Sequence, residues 1–462
     1  MKRLSLFLLI VSFLATLIAC STDKMSGDFE KETKLVTLSA VIQNPDSKAL
    51  VSDDGSFTWS AGDEIGVYTS EGSFACFTLK AGEEGKATAE FSALLEDGVS
   101  VVGPAVYPYN ASHSYNPGTK TISFLVNPTS SFAWEQDNVK CPMVADYSGS
   151  GTISFSQVGG IMRITVFNVS SSFAYMRLSS FNSGISGSYN INLDAPILSS
   201  EASGSRSDIT YSITADNALG LSYTYDFPLP TGTYNNFRLA GYTSEWGMTE
   251  IKTSTSSSNV IDKGTLLIMP YLWCGTSYNL YDVESTELGA ASLPENLVSD
   301  SSYPGTQLEA VANPLRSPAN PSSKVLKENM SSWSNASGYF HLDTHTSYYS
   351  SVPNFRSGAK GFRMSVLYNN PGEATMYCPW VDIKGPNTDR QLPDVINGKA
   401  FSPKNEETWA ALIKPDDWNI LQWNADCSGA YDIFLRPLLA FDGTQKAEGS
   451  KIIYLDNFEY VK

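Results

Sequence analysis

Short apolar runs that alternate with polar or outward-facing residues limit what this chain can become more than any other feature. Ile122, Phe124 and Val126 take every second place in one run, and Met162, Ile164 and Val166 do so in another, opposite Arg163 and Thr165. Phe362, Met364, Val366 and Tyr368 repeat the pattern. A side-chain period of two is that of a strand with one buried face. Gly, Pro, Asn, Asp and Ser separate the runs. No long segment sustains a helical period; residues 87–95 and 408–413 are each expected to form a helical turn or two. The expected class is all-β, built as stacked sandwiches.

A chain of 462 residues fits two or three such units at about 150 residues each. The sequence loosens into Val-Ser-Ser-Ser after residue 168 and again around residues 274–278, after the apolar run that ends at Trp273. Beyond that point Trp and Pro become commoner and the polar loops lengthen. These breaks divide the chain into residues 36–168, 169–276 and 277–462.

The first nineteen residues read as an address. Lys2 and Arg3 precede an apolar run over residues 4–14, and Leu17-Ile18-Ala19-Cys20 closes it. That order is a bacterial lipoprotein signal, residues 1–19, with Cys20 as the acylated first residue of the mature protein. The apolar run is shorter than the ~20 residues of a spanning helix. Each buried methylene of an acyl chain contributes about 0.8 kcal/mol, so several chains anchor stably. Residues 20–35 are a polar, flexible tether. The expected location is the outer membrane, lipid-anchored and at the cell surface. A periplasmic orientation stays open, because Asp23 is the one acidic residue directly after the cysteine.

Lys and Arg number 31 against 48 Asp and Glu, a net charge of −17 that repels phosphate backbones. Nucleic acid is not an expected partner. Of the six cysteines, five remain beside Cys20, and none forms a C-x-x-C pair that would point to zinc or redox chemistry. Cys378 and Cys427 either form a bridge or stay as buried free thiols.

Phe57-Thr58-Trp59-Ser60-Ala61-Gly62-Asp63-Glu64-Ile65-Gly66-Val67-Tyr68 reads as a hairpin with Ala-Gly-Asp at its turn. Phe57 and Trp59 are expected on one side, with Ile65 and Val67 returning to it. The segment from Trp59 to Tyr68 resembles the signature of the fimbrillin-like lipoproteins of Gram-negative bacteria. Val106-Tyr107-Pro108-Tyr109, Pro142-Met143-Val144-Ala145, the run from Phe155 to Val166 and Phe227-Pro228-Leu229-Pro230-Thr231-Gly232-Thr233-Tyr234 are similar to later segments of that family. Gln157-Val158 departs from the family's frequent His-Leu. The resemblance implies two β-sandwiches over about residues 36–275, on a lipid anchor. It also implies that in true pilins a protease removes the first strand and a neighbouring subunit's strand replaces it. Lys34 or Lys48 would be the cleavage residue, since no Arg lies between Cys20 and Lys48.

Residues 277–462 carry a second resemblance, through Tyr281-Asp282-Val283-Glu284, Asn313-Pro314, Asn320-Pro321-Ser322-Ser323-Lys324-Val325-Leu326 and terminal Ile453-Tyr454-Leu455-Asp456-Asn457-Phe458. They look like a carbohydrate-binding-module-like jelly roll, and Trp409 with residues 418–423 is similar to the strand pair before its last strand. In such domains an early acidic residue and a last-strand aspartate share a structural calcium. By position these are Glu284 and Asp456, which otherwise cap turns or face water. Sugar rings pack on aromatic planes, and Trp333, Tyr348, Tyr349, Trp380 and Trp409 are the candidate platforms, alongside Tyr339, with core packing the default for any single Trp. His341, Asp343 and His345 would share a strand face, as a transition metal's ligands do, or form a solvated face.

No G-x-S-x-G, H-E-x-x-H or phosphate-cradling motif occurs, and no E-x-D-x-x-E strand of a jelly-roll glucanase. The expectation is a binder without catalytic activity, a cell-surface adhesin or glycan-binding lipoprotein whose ligand is a glycan or host surface. The competing expectations are a fimbrial accessory or tip subunit, partnered by other subunits, and a glycoside hydrolase with an unfamiliar site.

Overall fold

The computed structural model describes residues 32–43, 58–131, 140–199, 208–213, 219–254, 259–275, 277–281, 283–285, 288–289, 297–299, 306–330, 340–343, 360–384, 390–425, 432–439 and 451–461. Among them the chain is all-β: helix is confined to Pro371–Ala374, Glu406–Leu412 and the single turn Val283–Ser285. Residues 406–412 thus meet their helical expectation, with Asn405 as N-cap accepting the Thr408 N–H. The other expected helical turn is a strand, Thr88–Glu96. Ala89, Phe91 and Leu95 point inward from it, and Thr33–Ile42 pairs along its whole length from Thr33 opposite Glu96 to Val41 opposite Thr88. Pairing with a strand distant in sequence overrides a local run that reads as helix.

The first unit is a closed seven-stranded barrel in which Thr33–Ile42 joins Ile153–Gln157, in parallel, to Thr88–Glu96. Trp59 fills its interior, 1% exposed, with its ring edge-on to Phe91, Tyr107 and Phe155 at 4.9, 5.4 and 5.7 Å. The Trp59 backbone bonds to Lys86 and Gly85, so it does not return on Ile65 and Val67 as a hairpin partner; those two share its core instead. Phe57 lies outside the described residues. The turn itself is as expected. Gly62 takes φ +80°, and the buried Asp63 carboxylate accepts the Ser60 N–H at 2.8 Å and the Tyr107 hydroxyl at 2.9 Å.

Strand pairing continues across residue 168. Gly187–Asn192 pairs with Thr121–Val126, and Tyr189 and Ile191 share a core with Ile122, Phe124 and Val126. Gly160–Phe167 pairs with Ser222–Leu229 and, in parallel, with Leu266–Ile268. Its inward Met162, Ile164 and Val166 pack against Met176, Leu178 and Leu239 of a second sheet, in which Phe173–Ser180 lies between Asp208–Ser212 and Phe237–Thr243, with Met248–Ser254 at the edge. On the outer side Arg163 holds Asp226 through two hydrogen bonds of 2.8 and 2.7 Å.

From residue 277 on, two sheets form a sandwich. One runs through Thr306–Ala312, Lys324–Met330, Lys451–Val461, Gly361–Tyr368 and Asn419–Trp423; the other contains Leu297–Ser299, Phe340–Asp343, Asp432–Leu439 and Cys378–Lys384. Phe362, Met364, Val366 and Tyr368 face the core between them, with Trp409, Trp423 and Cys378. Cys378 is a free buried thiol, so it forms no bridge; Cys427 lies outside the described residues.

The strand Gly361–Tyr368 is buried on its other face too, and that face is where the C-terminal sandwich meets the second unit. Phe167 stacks on Trp273 at 4.2 Å, and the Arg363 guanidinium lies over the Trp273 ring, 3.2 Å from its centre. Arg363 also holds Glu459, and burial lowers its pKa to about 10 against the pull of that carboxylate. Val325, Leu367, Trp418 and Ile420 join Phe167 in one apolar cluster. Backbone bonds stitch the rim: Tyr271 N–H to the Pro318 carbonyl at 3.0 Å, and Ser222 N–H to the Gly398 carbonyl at 3.0 Å. Gly398 is required there, because its φ is +77° and a Cβ would stand 1.9 Å from the Ser222 hydroxyl oxygen.

The Trp273→Ala variant is expected to lose about 2 kcal/mol or more, from lost ring burial and the lost guanidinium contact. Calorimetry should then show the C-terminal sandwich melting separately from the second unit. An unchanged melting profile would contradict this joint.

Candidate functional site

Among the described residues, two regions concentrate polar and aromatic chemistry: the end of the C-terminal sandwich near Glu284, and the outer face of the second unit near Trp246.

Near Glu284 the segment Val283–Ser285 is pinned to the start of Lys324–Met330. One Glu284 carboxylate oxygen accepts the Ser323 and Lys324 N–H groups, and the other accepts the Ser323 hydroxyl at 2.5 Å. The Lys324 ammonium donates to the Glu284 backbone carbonyl at 3.0 Å. These bonds, led by the Ser323 hydroxyl, hold the Glu284 carboxyl below its ordinary pKa. Asp456 is 4% exposed with its Oδ2 unpartnered. Burial pushes its pKa up to about 6, helped by the charge of Glu284 and opposed by Ser322, Asn457 and Asn320.

A calcium ion at this pair would compete with the bonds the fold already makes on Glu284, while the buried Asp456 Oδ2 has no partner to lose. Calcium takes six to eight oxygens stripped of competing donors. Here three donors already bond the Glu284 carboxylate, and the Lys324 ammonium bonds its backbone carbonyl. Among the described residues no group of three or more His, Cys, Asp or Glu side chains gathers for a metal. Glu284 works as a hydrogen-bonded clamp between the entry of the unit and its sheet. Chelation with EGTA is expected to leave the melting temperature unchanged; a rise with millimolar calcium would contradict the clamp.

Of the five candidate ring platforms, Trp333, Tyr348 and Tyr349 lie outside the described residues, as does Tyr339. Trp409 is corrected to a core residue. It is fully buried in the sandwich, and its indole N–H donates to the Ala374 carbonyl at 2.7 Å, so neither ring face meets solvent. Trp380 is half-buried, with its indole nitrogen unpartnered. His341 and Asp343 sit on one strand, Phe340–Asp343, while His345 lies outside the described residues.

The buried carboxyl that sequence patterning missed is Glu328. It follows core-facing Leu326 by two residues, stands opposite Ile453 and has both oxygens unpartnered at 0% exposure. Burial pushes its pKa from an ordinary 4.5 up to about 8. A carboxyl raised in this way favours the protonated fold. Its contribution to stability is fully present below the ordinary value and is lost as pH rises through about 8. The Glu328→Gln variant is therefore expected to melt higher than the wild type at pH 8.5, with the gap closing toward pH 5. A gap independent of pH would contradict the assignment.

The second region is a ring cluster on the outer face of the sheet containing Phe173–Ser180. Tyr175 and Arg177 point the same way on that strand, opposite Tyr242 and Ala240 of Phe237–Thr243. Trp246 stands on the hairpin between Phe237–Thr243 and Met248–Ser254, is 55% exposed, and stacks flat on Tyr175 at 4.8 Å and 8°. The Arg177 guanidinium lies 4.6 Å from the Tyr242 ring centre and 5.2 Å from that of Trp246. It also donates to the Thr210 hydroxyl at 3.0 Å and pairs with Asp208 at 3.6 Å. The turn is closed by Trp246 N–H to the Thr243 carbonyl and Gly247 N–H to the Thr243 hydroxyl, each at 3.0 Å. Trp246 takes φ +65°, in the left-handed region where hairpins of this kind ordinarily place Gly or Asn. Holding a bulky side chain there costs on the order of 1–3 kcal/mol. A Trp inside the polar run Thr-Ser-Glu-Trp-Gly, directly before a Gly, was the available sequence signal.

No family model matches the chain, and no curated protein matches it. Solved structures similar to it include a Bacteroides ovatus protein described as a cell-adhesion candidate, at TM-score 0.32 and 12% identity, over 53% of this chain and 93% of that one. A fimbrial assembly protein from Parabacteroides distasonis is similar at TM-score 0.26 and 14% identity, over 51% of this chain and 90% of the other. The surface glycan-binding protein of Prevotella bryantii is similar at TM-score 0.23 and 10% identity, over 93% and 99%.

Proposed function

We propose that this chain is a non-catalytic glycan-binding or adhesive lipoprotein, anchored to the outer membrane through Cys20 and displayed at the cell surface. The two N-terminal units serve as the stalk, and the C-terminal sandwich is the part held farthest from the anchor in sequence. The observation that carries this reading is the joint of Phe167, Trp273, Arg363 and Glu459. An adhesive protein must pass load from ligand to anchor, and a packed aromatic joint transmits force where a free linker would not. Asp226, Glu284 and Glu459 are committed to structural bonds, which suits a scaffold. Single weak sites suffice, because many anchored copies raise avidity.

The test is retardation of the chain from Ser21 onward in gels containing soluble plant and host polysaccharides, with reducing-sugar release measured in parallel. Retardation by at least one polysaccharide without sugar release is expected. Sugar release abolished by mutating one carboxylate would overturn the reading in favour of a hydrolase.

One observation favours a second reading, subunit assembly by strand exchange. Thr33–Ile42 is a single strand that closes the barrel, antiparallel to Thr88–Glu96 and parallel to Ile153–Gln157. Cleavage at Lys34 would leave that strand nearly whole, whereas cleavage at Lys48 would free all of it. Proteolysis at Lys48 followed by a ladder of heat-labile oligomers would establish this reading; monomers alone would exclude it.

A further inference from the structure

We infer that the second unit carries a sugar-binding site of its own, with Trp246 as the stacking platform and Arg177 and Asp208 as the polar groups beside it. This rests on the glycan-binding reading above and places a contact outside the C-terminal sandwich. Three observations converge on it.

The first is exposure. Trp59, Trp409, Trp418 and Trp423 are each buried to 1% exposure or less, while Trp246 is 55% exposed on the outer face of a sheet. A ring left in water on a polar hairpin gains nothing from the core, yet it offers the flat apolar surface on which the C–H face of a pyranose packs. The second is backbone conformation. The left-handed φ of +65° at residue 246 would be relieved by Gly or Asn, so the chain keeps a Trp where the turn prefers something else. Local strain of this kind is found where a side chain is needed for binding. The third is order. Tyr175 backs the ring at 8° and Arg177 lies against it, so the platform is already fixed before any ligand arrives.

The polar groups define the ligand class. Arg177, 5.2 Å from the ring centre, supplies donors, and the Asp208 carboxylate, 3.6 Å from Arg177, supplies acceptors. A mixed set of one cation and one carboxylate matches vicinal hydroxyls, which both donate and accept. It favours neutral hexose or pentose rings over a strongly anionic ligand.

The experiment compares the wild type, Trp246→Asn and Trp246→Tyr, each as the chain from Ser21 onward. Affinity gels contain hydroxyethylcellulose, xylan or mucin as probes, and melting temperature is measured in parallel. For a probe that retards the wild type, Trp246→Asn is expected to bind about tenfold more weakly or not at all. Its melting temperature should be equal or higher, because the left-handed backbone is relieved. Trp246→Tyr should recover part of the binding. Equal retardation of the wild type and Trp246→Asn would overturn this site while leaving the glycan-binding reading intact. A wild type retarded by no probe would overturn both. A melting temperature several degrees lower in Trp246→Asn, with binding unchanged, would assign the ring a structural role.

Discussion

The stack of Phe167, Trp273 and Arg363 is the contact on which the rest of this molecule depends. Each sheet of a sandwich has one face that must be covered, and most of these sheets solve the problem within their own unit. The strand Gly361–Tyr368 does not, since it is buried on both faces: Phe362, Met364 and Val366 toward its own core, Arg363 and Leu367 toward the second unit. A guanidinium can be buried there because the Trp273 ring covers it and Glu459 on the adjacent strand neutralises it. Removing either partner would leave a charge stranded in the joint. The C-terminal sandwich is therefore part of a continuous packed body with the unit before it.

The same economy governs the polar residues. Asp63 holds its turn and Tyr107, Asp226 holds Arg163, and Glu284 fastens the start of the C-terminal unit to its sheet. Each of these carboxylates is held by donors from its own fold. Glu328 is the exception, buried with both oxygens unpartnered, while Asp456 is buried with one oxygen unpartnered. Burial raises both pKa values, so the C-terminal sandwich gains stability as pH falls through about 8 at Glu328 and through about 6 at Asp456.

Much of the fold was legible in the sequence because it rests on a local rule. Alternation placed Ile122, Phe124 and Val126, then Met162, Ile164 and Val166, then Phe362 to Tyr368 with their inward faces correct. What the sequence hid depends on distant partners. Residues 87–95 read as a helical turn because the strand that fixes them, Thr33–Ile42, is distant in sequence. The break expected around residues 274–278 follows the apolar run that ends at Trp273, and nothing in that run shows that its last ring is the centre of the joint. Trp409 read as a ring platform because it sits in a polar stretch, but a short helix turns it into the core. Trp246 was passed over because a lone ring in a turn has no period, and its meaning comes from Tyr175 and Arg177 on a neighbouring strand.

The central claim is that an aromatic surface on a rigid series of sheet-built units holds a glycan and leaves it intact. Intrinsic tryptophan fluorescence during titration of the intact chain with a defined oligosaccharide, followed by chromatography of that oligosaccharide, tests it most directly. A saturable spectral shift with the oligosaccharide recovered at full length is the predicted result. Recovery of shortened products, or no spectral change at millimolar concentrations of any oligosaccharide, would contradict it.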